Sequence, residues 1–154
     1  MEKYFEDLAV IRGHFIDFLN QYDLQRLVFI PMGFKNHMFW NIAHALVTQQ
    51  LMTNYLSDRP MLVDNDWVSR FKKGTFGSPD VDQSEVEQLI ELLQISQERL
   101  RKDYFSENLN QFKGLDTSFG INLIEIEDAI RYNNLHESLH LGYIMALSKS
   151  IPTH

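Results

Sequence analysis

Along most of the chain, apolar residues recur three and four positions apart, the spacing of helices with one buried stripe. No segment shows a convincing run of strict alternation with β-branched residues, so the expected fold is all-α. Tyr4, Leu8, Ile11, Phe15, Phe18 and Tyr22 form the first stripe and predict a helix over roughly residues 2 to 24, broken by Pro31 and Gly33 in FIPMGF. A second helix is expected from Asn36, as N-cap, through HMFWNIAHALVTQQLMTNYL, stopping before SDRP. Its core side holds Trp40, His44, Val47, Leu51 and Tyr55.

Ser84 and Glu87 have the spacing of a capping box and open a third helix, which carries Val86, Leu89, Ile90, Leu93, Leu100 and Tyr104 and ends near Leu109. After the turn-like KGLDTSFG, a fourth runs from about Leu123 to Ser148, with Pro152 beyond it. Residues 57 to 83 exceed the roughly 2–8 residues of a tight helix–helix turn, so this segment is expected to cross over between helices two and three. Its Trp67, Val68 and Phe71 suggest a short docked helical turn, with Trp67 over one end of a pocket. The economical architecture is a four-helix bundle with a long crossover, formed as one domain over residues 1 to 154.

Composition narrows the function more than the fold. Hydrophobic residues make up 44% and charged residues 23%, enough for a packed core. A net charge of -7 opposes nucleic-acid binding, since neutralising phosphates needs clustered Lys and Arg and the nearest basic run is only Lys72-Lys73. With no cysteine, disulfides, Cys-based zinc sites and thiol nucleophiles are excluded. The stretch MEKYFEDLAVIRG is acidic and unlike a signal peptide, and no apolar run approaches the ~20 residues of a membrane span. A cytoplasmic protein without membrane partners is expected.

The chemistry is carried by NNLHESLHLGYI, in which His136, Glu137 and His140 spell H-E-x-x-H. At about 100° per residue, histidines four apart lie within about 40° of each other on one helix face and can reach the same ion. Ala129, Asn133, Tyr143, Ile144 and Leu147 share that direction, so the pair points into the core. His44 shares its stripe with Trp40, Val47 and Leu51 and points inward too. Three neutral imidazoles converging in an apolar core suit Zn, Ni or Fe, with a position left open for water or substrate. The alternative is three core histidines, each with a backbone partner. Of the others, His14 is expected on the surface and His154 is terminal, while His37 is expected on the surface at the helix start or at the pocket's mouth.

A zincin needs a further ligand downstream, but only 14 residues follow His140, none of them Asp or Glu, and the position of a third His is Ala146. A di-iron bundle needs a second E-x-x-H and two more inward glutamates, which helices two and three lack. Glu137, flanking the ligand face, is left these roles: base towards water on the metal, acceptor that orients a ligand, or ordinary exposed or structural residue.

Taken together, IPMGFKNHMFWNIAHALVTQQL, TSFGINL and NNLHESLHLGYIMALSK resemble the DinB and YfiT-like superfamily of metal-dependent enzymes, over nearly the whole chain. The resemblance rests on a proline-glycine lead-in, a tryptophan-asparagine pair before the first histidine, and two histidines four apart followed by a glycine. It implies an up-down-down-up four-helix bundle and a divalent metal on His44, His136 and His140, Zn or Ni first and Fe or Mn next. It further implies a small-molecule reaction, either S-transfer with a low-molecular-weight thiol or hydrolysis, and a homodimer. Glu137 and Asn41 are then candidates for orienting a ligand or moving a proton. A non-catalytic metal-binding or regulatory bundle is the competing reading. Where relatives often carry two asparagines before the tryptophan, this chain has Asn36-His37.

Overall fold

The computed structural model describes residues 1–151; Pro152 and His154 lie outside the described residues. Helix α1, Glu2–Gln21, buries Phe5, Leu8, Arg12, Phe15 and Leu19, a stripe whose central member is an arginine. The expected stripe was rotated slightly, because Tyr4, Ile11 and Phe18 flank this seam as partly buried apolar neighbours. Asp23 then caps a separate one-turn helix α2, Leu24–Leu27, accepting from the Arg26 N–H at 2.9 Å.

Helix α3, Met38–Gln49, is buried almost all round, and its N-cap is His37 rather than Asn36. Its expected continuation to Leu56 is instead a π-helical turn, Gln50–Asn54, followed by a 3-10 turn, Tyr55–Ser57. Widening the helix by a residue re-aims everything after it. Tyr55, expected in the core, is 61% exposed. The crossover holds α4, Asn65–Phe71, capped by Asp64 and docked through Trp67 and Phe71 against Phe39.

The capping box of α5, Gln83–Phe105, joins Asp82 to Glu85, two residues before the expected pair. This helix ends at Phe105, and Leu109 reaches the core from the following turn, past Glu107 at φ 55. Two short strands, β1 Leu115–Asp116 and β2 Asn122–Leu123, form an antiparallel hairpin absent from the all-α expectation. Two-residue strands are too short to show alternation. Helix α6, Ile126–Lys149, starts after the hairpin with its own Glu125/Asp128 capping box, three residues later than expected.

The four long helices pack pairwise, α1 on α6, α6 on α3, α3 on α5 and α5 on α1. Polar contacts join them in the interior. The Arg12 guanidinium donates to both carboxylate oxygens of Glu137 at 3.1 and 2.8 Å, to the Leu93 carbonyl at 2.9 Å, to Ser96 Oγ at 2.6 Å and to Gln49 Oε1 at 3.3 Å. Those bonds employ every N–H of the guanidinium. No helix among the described residues is long and apolar enough to cross a membrane.

Candidate metal centre

Packing of α3 on α6 brings His44, His136 and His140 together. The His44 ring centre lies 5.3 Å from that of His136 and 4.9 Å from that of His140, which are 4.6 Å from each other. One nitrogen from each lies within 4.8 Å of the others. Zn–N bonds of about 2.0–2.1 Å at tetrahedral angles put nitrogens roughly 3.4 Å apart, so small ring rotations suffice to close on one ion. The three-histidine cluster is thus compatible with a metal site.

Two of the rings are oriented by the protein. His44 Nδ1 donates to the Phe71 carbonyl at 2.7 Å, at the end of α4, and its ring stacks on Trp40 at 4.6 Å and 7°. Because a carbonyl only accepts, this bond fixes the tautomer and leaves Nε2 as the lone-pair nitrogen. The nearest partner of that nitrogen is Thr48 Oγ1, at a long 3.4 Å. For His140 the acceptor is Asn41 Oδ1, 2.9 Å from Nδ1. Asn41 Nδ2 donates to the His37 carbonyl at 2.9 Å, which settles the amide's orientation and makes His140 the donor. The third ring is unanchored, since His136 Nδ1 is buried and has no hydrogen-bond partner among the described residues.

His37 shows what a structural core histidine looks like in this chain. Expected at the surface or the pocket's mouth, it is fully buried and away from the cluster, with both nitrogens used. Nδ1 accepts from the Trp40 N–H at 3.0 Å, and Nε2 donates to the Ser78 carbonyl at 2.9 Å. A Cβ on Gly77 would stand 2.6 Å from this ring, which explains the glycine there. In contrast, an orphaned nitrogen on His136 and lone pairs on the other two fit ligands better than packing residues.

Burial holds all three rings neutral. Desolvation lowers His44 below its ordinary range, against the opposing Phe71 bond, and nearby Lys73 lowers it further. His136 falls to about 4, by burial first and His44 second, and His140 to about 3, by burial and then its two neighbours. Near pH 7 each therefore offers a lone pair without first losing a proton.

A cavity of about 590 Å³ adjoins the three rings. Its walls come from α3 and the π turn (Thr48, Leu51, Met52), from α6 (Tyr132, Leu139), from Lys73 after α4, and from the hairpin residues 115 to 119. Tyr132 and Phe119 are its aromatic lining residues. Trp40 stacks behind His44, Tyr55 is exposed, and Tyr143 packs edge-on against Phe34. Trp67 covers no part of this cavity; it is buried against Phe39 and Phe71. Lys73 and the hairpin were missed because neither has a periodic signal.

A sequence model of the DinB superfamily matches residues 8–144. The chain belongs to the DinB superfamily. That match takes in all three histidines, the crossover and the hairpin, while no curated protein matches the chain. The DinB assignment gives no role to Glu137, and here the structure corrects the exposed option. Glu137 has 0% exposure, and its carboxylate is held by Arg12 and by Asn133 Nδ2 at 2.9 Å. It lies outside the cavity wall, about 100° around α6 from His136. The missed signal was Arg12, the one charge in the buried stripe of α1.

Proposed function

We propose that His44, His136 and His140 hold a divalent metal, Zn or Ni first and Fe or Mn next, and that the chain is a metal-dependent enzyme acting on a small molecule. The observation that supports this best is the contact between the three lone-pair histidines and an open cavity. A structural zinc would be closed by a fourth protein ligand, and among the described residues no further His, Cys, Asp or Glu joins the three histidines with a ligand atom within 4.8 Å. At about 590 Å³ the cavity falls in the usual range for small-molecule sites. The pairwise helix packing supports the up-down-down-up bundle as its scaffold, as one domain with the crossover after α3.

A divalent ion there supplies Lewis acidity and lowers the pKa of a thiol or water that it binds. The protein's own contribution is orientation and exclusion of water. Phe71 and Asn41 aim two rings, Trp40 backs one of them, and Leu51, Met52 and Leu139 give the cavity apolar walls. Two reactions fit. In S-transfer, a thiolate sulfur attacks an electrophilic carbon and the leaving group departs with its electron pair; in hydrolysis, water takes the place of the thiol. Asn41, bonded to His140, is assigned to ligand orientation rather than proton transfer, and Glu137, neutralised by Arg12, to the scaffold.

Spectra of the cobalt-substituted protein, recorded with and without low-molecular-weight thiols, test the transferase form. A new sulfur-to-metal charge-transfer band supports it, while spectra unchanged by several thiols leave hydrolysis. A cobalt spectrum of a closed, ligand-saturated ion would favour the non-catalytic alternative. The homodimer is proposed separately, and light scattering that finds only monomer would remove it.

A further inference from the structure

Among the described residues Lys73 is the one Lys or Arg on the cavity wall, and its position is built rather than incidental. Lys72 to Thr75 form a turn closed by the Thr75 N–H on the Lys72 carbonyl at 3.2 Å, with Gly74 at φ 90. That positive φ at the third residue is what a type II turn demands, and glycine adopts it without strain. The turn is fastened to the same residues that hold His44. Trp40 Nε1 donates to Thr75 Oγ1 at 3.1 Å, and Thr75 Oγ1 is 2.8 Å from the carbonyls of Arg70 and Lys72. His44 itself donates to Phe71, two residues before Lys73. One indole therefore stacks on a candidate ligand and tethers the lysine's turn.

The lysine has no ion-pair partner among the described residues, so its charge is not spent on a carboxylate of the fold. Its side chain and the His44 ring line the same cavity. Asp116, the cavity's one carboxylate, sits on the hairpin and makes no ion pair with it. Imidazole ligates as a neutral base, so a divalent ion held by the three histidines would keep its full charge. With the lysine added, the cavity becomes a positive spot on a chain of net charge -7. Thr48 and Ser118 add hydroxyls, the Thr117 hydroxyl being donated to the Ile121 carbonyl at 2.8 Å, and Leu51, Met52, Leu115, Phe119 and Leu139 give apolar wall.

We propose that Lys73 is a specificity-determining residue of this cavity, and that the substrate is a small molecule with an apolar body and a single anionic head, a carboxylate or phosphate-type group, which the ammonium receives. Asp116 disfavours a second anionic group on the hairpin side. The proposal rests on the metal-centre reading only for placing this recognition beside the reacting atoms.

Hexanoate and its neutral near-isostere hexanamide are suitable probes, titrated into tag-free full-length protein by two-dimensional NMR, both metal-loaded and chelated. Hexanoate should perturb signals around the cavity and bind more tightly than hexanamide. Lys73→Met, at an exposed position that folding does not need, should weaken hexanoate about tenfold and leave hexanamide unchanged, the size of one contact to a charged group. Asp116→Asn should strengthen hexanoate. Equal binding of the two probes, no binding of hexanoate, or a Lys73→Met variant that binds hexanoate like wild type would overturn the proposal. The chelated arm separates the two claims. Lysine-dependent binding in a protein that takes up no metal defeats the metal reading and supports the role of Lys73; metal uptake without lysine dependence does the reverse.

Discussion

His136 and Glu137 are neighbours in sequence and belong to opposite kinds of buried polar centre. Towards the α3 side, His136 joins two other neutral rings beside an open cavity, with a nitrogen that nothing among the described residues satisfies. Glu137 faces the other way, into a closed charged cluster in which Arg12 has a partner for every N–H. Turning about 100° along one helix changes the chemistry from unsaturated to saturated. A saturated centre holds a fold together, and an unsaturated one has capacity left for a ligand.

The largest expected effect comes from breaking the saturated centre. Glu137→Ala leaves the Arg12 charge buried and unpaired, and should destabilise the protein by about 3–5 kcal/mol in urea unfolding. The double variant Arg12→Met/Glu137→Leu should be markedly more stable than Glu137→Ala alone, since removing both charges also removes their desolvation cost. A Glu137→Ala variant as stable as wild type would show that the pair is not closed as described.

Next in size is the anchoring of a ring in the unsaturated centre. Asn41→Ala removes the acceptor that orients His140 and should weaken metal binding about 10- to 100-fold, with the metal still bound at high concentration. Competition against a chromophoric chelator measures this, and an unchanged affinity would mean that Asn41 does not aim the ring.

Acid should sharpen the contrast. His136 and His140 are held to about 4 and about 3, below the ordinary 6.5. Since the folded values lie below the unfolded ones, the unfolded chain takes up protons first, and stability present above about pH 6.5 is lost as pH falls towards 4 and 3. In metal-free protein the urea midpoint should fall across that window, and fall less in His136→Ala. Equal falls in the two proteins would place the acid sensitivity elsewhere.

The smallest effect expected is on the stability of the metal-free protein at neutral pH. His136→Ala removes a half-buried ring with no hydrogen-bond partner at Nδ1, and should change it by no more than about 1 kcal/mol. A loss comparable to that of Glu137→Ala would make His136 a structural residue.

Much of the candidate site was legible in the sequence because helical phase is a rigid rule. His136 and His140 four apart, and His44 on an apolar stripe, had to face the core once their helices formed. Glu137 was left open for a related reason, since phase tells how far it turns from the histidines but not what lies on that side. Only the position of Arg12 among Phe5, Leu8, Phe15 and Leu19 could have supplied its partner, and a charge in an apolar stripe is easily taken for an edge residue. Boundaries shifted where side chains made local bonds that periodicity does not register, as with His37 at the start of α3 and Asp82 at the start of α5. The π turn after Gln49 and the turn that positions Lys73 depend on backbone geometry, and the cavity's outer wall depends on a hairpin whose strands are two residues long. Those features arise from tertiary packing and carry no repeating pattern.

The central claim is that the three histidines form one metal centre, and bound metal per chain tests it most directly. Elemental analysis of tag-free wild type, beside folded His44→Ala and His136→Ala variants, should give about one metal ion per wild-type chain and none in either variant. Wild type that holds no metal, even after incubation with Zn, Ni, Mn and Fe(II), would contradict the account and leave a helical protein with three core histidines beside a cavity.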